Sequence, residues 1–227
     1  MRLLALDTAT ECCSAALLID GRLLTRETEF ARGHAERILP MIDELLGEGG
    51  IGLREVQAIA FGRGPGSFTG VRLAASIAQG LAFGSGLRVV AISDLSAIAQ
   101  RVFDEDSSVT RALVCNDARM QEVYWGCFER GSDGLAVARS PERVSPPQSV
   151  ELPSEWEEAA GLGRGFAAYP ELKALARLTV REHWDRLLPR AAEVARLAVP
   201  ELAAGRLLAP EAALPVYLRD DVARPPP

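Results

Sequence analysis

Gly64-Pro65-Gly66-Ser67-Phe68-Thr69-Gly70-Val71-Arg72 lies between an apolar run of strand length and an alanine-rich stretch. A glycine loop that ends a strand and opens a helix leaves backbone N–H groups free, and the helix dipole there favours an anion. The spacing nevertheless departs from the common phosphate loops. Gly64 to Gly70 is one residue too long for a P-loop, no Lys-Ser or Lys-Thr follows, and Ser67 stands where the third glycine of G-x-G-x-x-G would fall. It is not a G-x-S-x-G elbow either. An anion site and a structural turn are equally open readings of this block. Asp7, Thr8 and Thr10, with Ser14 shortly after, form a second polar cluster. A carboxylate and hydroxyls at a hairpin can hold phosphate oxygens through a metal and direct hydrogen bonds, or they can satisfy their own turn. Asp117-Ala118-Arg119 is the third, either facing the same cleft as Asp7 or forming a solvated corner. His34 and His183 are the only histidines, so no H-x-x-x-H or H-E-x-x-H pair exists, and each reads as structural.

These groups need strands and helices to place them. Residues 3–7 and 14–19 are apolar strand-length runs, and Asp20-Gly21 predicts a hairpin turn into a strand over 22–28. Ile38, Met41, Ile42 and Leu45 recur on one helical face over 34–46, with Pro40 placing the start of the regular helix near itself. A strand over 56–61, a helix over 68–83, a strand over 87–92 and a Ser93-capped helix to 102 follow. The small residues Gly70, Ala74 and Ala78 form a stripe that admits close packing of another helix, in the core or between subunits. The charged run 104–108 marks a lobe boundary. Beyond it come a strand over 111–115, a paired strand over 122–128 across a turn at 118–121, an irregular excursion over 140–153, and a tight loop at Gly161, Gly163 and Gly165. Helices over 171–177 and 191–204 precede a disordered Pro225-Pro226-Pro227 tail. No internal repeat is visible. The expected organisation is a first lobe at 1–104, a second at 105–188, and a C-terminal helix and tail at 189–227 returning to the first lobe.

Composition narrows the class. The 227 residues carry 25 Lys+Arg against 31 Asp+Glu, a net charge of −6, which argues against an autonomous nucleic-acid binder. Cys12, Cys13, Cys115 and Cys127 have no C-x-x-C spacing and read as buried small hydrophobes. Asp7 and Glu11 interrupt any signal-peptide h-region, and no apolar run approaches ~18 residues. A cytoplasmic protein with no membrane contact is expected.

Taken in order, residues 3–10 with Ser14-Ala15-Ala16, residues 34–42, residues 64–72, Asp117-Ala118-Arg119-Met120-Gln121-Glu122-Val123-Tyr124 and Pro215-Val216-Tyr217-Leu218-Arg219 resemble the bacterial TsaB (YeaZ) family across almost the whole chain. Gln121 departs from the pattern, where a small residue is commoner. The resemblance implies a two-lobed α/β protein of the actin-like, ribonuclease H-like ATPase fold, with mixed sheets flanked by helices. It implies a non-catalytic scaffold and activator of a TsaD-type transferase, which threonylcarbamoylates adenosine 37 in tRNAs reading codons that begin with A. A TsaE-type ATPase joins the larger complex, ATP/ADP and a metal belong to the partner subunits, and tRNA contact is indirect. On this reading Asp7, Thr8, Thr10, Gly64, Gly66, Ser67, Asp117 and Arg119 are a vestigial nucleotide or anion site. Ile38, Ile42, Leu45, Gly70, Ala74 and Ala78 are the expected interface, serving a homodimer and the transferase alternately. No residue is assigned to catalysis or a metal. The alternative is an ATPase or small-molecule kinase using Asp7 and Asp117; a glycopeptidase ranks below both.

Overall fold

The structure, a computed structural model, describes residues 1–30 and 32–219. The expected Pro225–Pro227 tail lies outside the described residues. The chain opens with a meander of β1 (Arg2–Asp7), β2 (Cys12–Ile19) and β3 (Arg22–Glu29), turning through Asp20 and Gly21, both at positive φ. Next come α1 (His34–Gly49), β4 (Ala58–Gly62), α2 (Phe68–Ser85), β5 (Arg88–Ile92) and α3 (Asp94–Glu105). Strands β4 and β5 run parallel to β1, giving the order β3-β2-β1-β4-β5. Strand alternation sends Leu4 and Leu6 to one face, against Ile38, Ile42 and Leu45 of α1 and Ala74 and Ala78 of α2. Leu3 and Ala5 go to the other face. Burial on both faces is why β1 reads as an unbroken apolar run.

The second sheet contains β6 (Arg111–Arg119), β7 (Glu122–Arg130), β8 (Ala136–Ala138), β9 (Arg143–Ser145), β10 (Ala159–Leu162) and β11 (Leu178–Thr179). Its order is β11-β10-β6-β7-β8, with β9 also on β7. The first strand is central, its hairpin partner antiparallel and the later strands parallel, as in the first sheet. The lobes repeat one topology although no sequence repeat betrays it. A four-residue α4 (Gly165–Ala168) follows β10, and α5 (Ala191–Ala203) crosses back to cover the far face of the first sheet. There Val194, Ala195 and Ala198 meet Leu3, Ala5 and Ala16.

Several expectations need correction. Helix α1 starts at His34 and carries Pro40 within it. Pro40 and Glu36 are both exposed, so water can meet the Glu36 carbonyl that the missing N–H leaves without a partner. Helix α3, inside the expected first lobe, buries Leu95, Ile98, Val102 and Phe103 with Ala112, Val114 and Phe128 of the second sheet. Gly161 is a strand residue of β10 rather than part of a loop; Gly163 and Gly165 make the turn, where a Cβ on Gly165 would stand 2.8 Å from the Cys115 carbonyl. The helix expected over 171–177 is only a 3-10 turn at Pro170–Ala174, and the 140–153 excursion contains β9. All four cysteines are buried and free, and burial pushes the Cys12 thiol up to about 12 and those of Cys13 and Cys127 to about 11. Among the described residues no helix is long and apolar enough to cross a membrane.

Candidate functional site: the cleft between the lobes

The hairpin ends of the two sheets face each other across a cleft of about 1220 Å³. Thr8, Thr10, Gly66 and Ser67 line it from the first lobe, and Asp117 and Arg119 from the second. Two of the expected site residues lie elsewhere. Gly64, at φ +99°, sits behind the cleft wall, and its carbonyl accepts from the Asp94 N–H at 3.1 Å. Asp7 is wholly buried: one oxygen accepts from the Ala9 N–H at 2.8 Å, and the other lies beneath Gly62 beside Asp94.

That pairing changes the chemistry of Asp7. Burial pushes the Asp94 carboxyl well above the usual carboxylate range, with the Asp7 charge adding to it. Burial also raises Asp7, against the lowering effect of a hydrogen bond from Asp94. Asp7 Oδ2 and both Asp94 oxygens are buried with no other hydrogen-bond partner, and a proton held on Asp94 would let it donate to Asp7. A methyl group on Gly62 would overlap both carboxyls, so the glycine is what lets the pair meet.

The glycine block closes on the first hairpin. Thr8 Oγ1 donates to the Gly70 carbonyl at 2.7 Å, and the Ser67 N–H donates to the Ala9 carbonyl at 2.7 Å. A Cβ on Gly70 would overlap the Thr8 carbonyl, and one on Gly66 would stand 2.5 Å from that of Ala9. Ser67 Oγ accepts from the Gly70 N–H at 3.1 Å and so caps α2. His34 Nε2 lies 2.9 Å from the Thr10 carbonyl, and Ser14 Oγ accepts from the Ala191 N–H at the start of α5. The block clasps the first hairpin, with Gly66, Ser67 and Gly70 also on the cleft lining.

On the opposite wall Asp117 accepts from the Arg119 N–H at 2.8 Å and pairs with the Arg119 guanidinium at 3.0 Å. Arg164 reaches Glu11 at 3.2 Å and Glu29 at 2.7 Å, bridging the lobes. Asp94, Glu11 and Arg164 were not distinguishable in the sequence from ordinary helix-start and surface charges. Among the described residues no group of three or more His, Cys, Asp or Glu side chains is arranged to hold a metal ion. With Asp7 turned inward and Asp117 tied to Arg119, the residues present do not fit a metal–nucleotide complex.

The expected interface residues also need correction. Ile38, Ile42, Leu45, Gly70, Ala74 and Ala78 are all buried, joining α1 and α2 to their own sheet and hairpin. The large apolar side chains these helices expose are Leu39, Phe68 and Phe83, the last 82% accessible, and Leu39 lies along a shallow groove with Pro40, Leu53 and Leu81.

Two lobes of one topology, joined at a cleft between their hairpins, define a protein of the actin-like ATPase fold. A family model described as "TsaD: tRNA N6-adenosine threonylcarbamoyltransferase" matches residues 28–206. The chain is 41% identical over 228 residues to the Escherichia coli protein named "tRNA threonylcarbamoyladenosine biosynthesis protein TsaB", covering 98% of this chain and 96% of the relative. The Haemophilus influenzae protein of that name is 42% identical over 232 residues, covering 98% and 95%. The solved structure of YeaZ from Pseudomonas aeruginosa superposes with a TM-score of 0.88 at 44% identity, over 96% of this chain and 99% of that one. The chain belongs to the TsaB (YeaZ) family.

Proposed function

We propose that this protein acts in tRNA threonylcarbamoyladenosine biosynthesis as a non-catalytic subunit, scaffolding and activating a TsaD-type transferase. The inward turn of Asp7 carries this reading: the carboxylate that would have to serve phosphate chemistry at the end of β1 is sealed against Asp94. The same observation weighs against the ATPase or kinase alternative with Asp7 and Asp117. ATP/ADP and a metal then belong to the transferase and to a TsaE-type ATPase, tRNA contact is indirect, and the complex works in the cytoplasm.

The partner surface remains on α1 and α2, moved to their outward faces around Leu39 and Phe83, where either a transferase or a second copy of this chain could lie. Modification assays omitting one component at a time test the role. Modified tRNA should require both this chain and the transferase. ATP turnover of ~1 s⁻¹ or more by this chain alone would refute the scaffold. Asp7→Asn and Asp117→Asn should barely alter the complex; a hundredfold loss with normal assembly would show that the cleft does chemistry.

A further inference from the structure

The segment Pro215-Val216-Tyr217-Leu218-Arg219 has no part in the cleft chemistry above, yet it touches both lobes. Its approach is fixed to the first lobe: Ala213 is buried and its carbonyl accepts from Gln79 Nε2 at 3.0 Å. The Val216 N–H then donates to the Arg63 carbonyl at 2.8 Å, and Arg72 Nε donates to the Tyr217 hydroxyl at 2.6 Å. Arg72 is itself stacked on Phe68, 3.6 Å from the ring centroid. From this anchored track the Arg219 side chain, only 18% accessible, crosses to the second lobe.

There it meets the turn between β6 and β7. Arg119, Met120 and Gln121 stand in succession at φ +61°, +54° and +63°, a run of left-handed backbone with no glycine, asparagine or aspartate in it. Each such residue is disfavoured by the approach of its Cβ to backbone oxygen, so the run needs support from outside. Arg219 Nη2 donates to the carbonyls of Ala118 at 3.2 Å and Arg119 at 3.5 Å. Nε and Nη2 both donate to Glu122 Oε2, at 3.1 and 2.5 Å. Two carbonyls and a carboxylate thus converge on Nη2 while Nε adds a second bond to the carboxylate, a planar arrangement that the fork of a guanidinium pre-organises. Within the turn, Asp117 adds its bond to the Arg119 N–H and its pairing with the Arg119 guanidinium. The turn so held displays Met120, 75% accessible, while Ala118, Arg119 and Arg219 line the cleft.

We propose that Arg219 is a positioning residue: it holds the 119–121 turn in its left-handed form, and that form is what the chain needs to support the transferase. The functional half rests on the scaffold reading above; the structural half does not. The test uses the full chain, with amide exchange read alone and tRNA modification read with the partners present. Arg219→Ala should keep its circular dichroism spectrum while exchange at 119–122 rises at least tenfold and supported modification falls about tenfold. Arg219→Lys, a point charge without the fork, should behave nearly as badly. Arg219→Ala combined with Gln121→Gly, which eases one left-handed position, should recover much of the lost modification. Unchanged exchange in Arg219→Ala would overturn the proposal, as would raised exchange with full modification. A double variant no better than Arg219→Ala would overturn it too, since Arg219 would then act by its own contact. Failure of the wild-type chain to support modification would refute the scaffold reading, while the exchange result would still judge the turn.

Discussion

Replacing Asp94 by Asn should stabilise the protein, increasingly so as pH rises. In the folded state burial, with the Asp7 charge beside it, pushes the Asp94 carboxyl well above the ordinary carboxylate range, so the pair keeps a proton there. The unfolded chain releases that proton near pH 4. Between there and the raised folded value the native state binds one more proton than the unfolded state, so stability falls as pH rises, by up to about 1.4 kcal/mol per pH unit. Asn at 94 donates to Asp7 as the acid does but never ionises, which removes the slope. Urea unfolding followed by circular dichroism at pH 5 and pH 8 measures this. The gap between Asp94→Asn and wild type should widen across that range, in favour of the variant at the upper end. A gap constant with pH would refute a shared proton. A variant less stable than wild type at pH 8 would show that Asp94 is held as a carboxylate.

Gly70→Ala should cost about 1–3 kcal/mol or prevent folding, because its methyl would overlap the Thr8 carbonyl, which backbone geometry fixes; thermal melts read this. Ala74→Glu should unfold the first lobe rather than act at an interface, since Ala74 is wholly buried, whereas Leu39→Glu should melt normally and lose transferase capture in a pull-down. The thiols of Cys12, Cys13 and Cys127, raised by burial, should resist alkylation at pH 8 in the folded protein and react together once urea unfolds it.

Local signals located the elements that position the site. The apolar run over 3–7, the Asp20-Gly21 turn and Ser93 at a helix start all act through neighbours a few residues away, and the structure has each in place. What the sequence could not convey was the partner of each buried face. The Gly70, Ala74 and Ala78 stripe requires close approach by something, and periodicity is the same whether that is another subunit or the hairpin and sheet of the same lobe. Asp7 reads as a cleft carboxylate until Asp94, 87 positions later, turns up beside it. Pro40 points to a helix boundary in the sequence, yet α1 runs through it because the bond it lacks faces water.

The placement of α5 has a consequence for how the chain is made. Leu3, Ala5 and Ala16 leave the ribosome first, yet the helix that covers them spans Ala191–Ala203, and the Ala191 N–H completes its bonding on Ser14. At ~5–20 residues per second, roughly 10–40 s of synthesis separates the two. Through that interval the second lobe can assemble while one whole face of the first sheet stays bare. The lobe translated first is therefore the last to be finished.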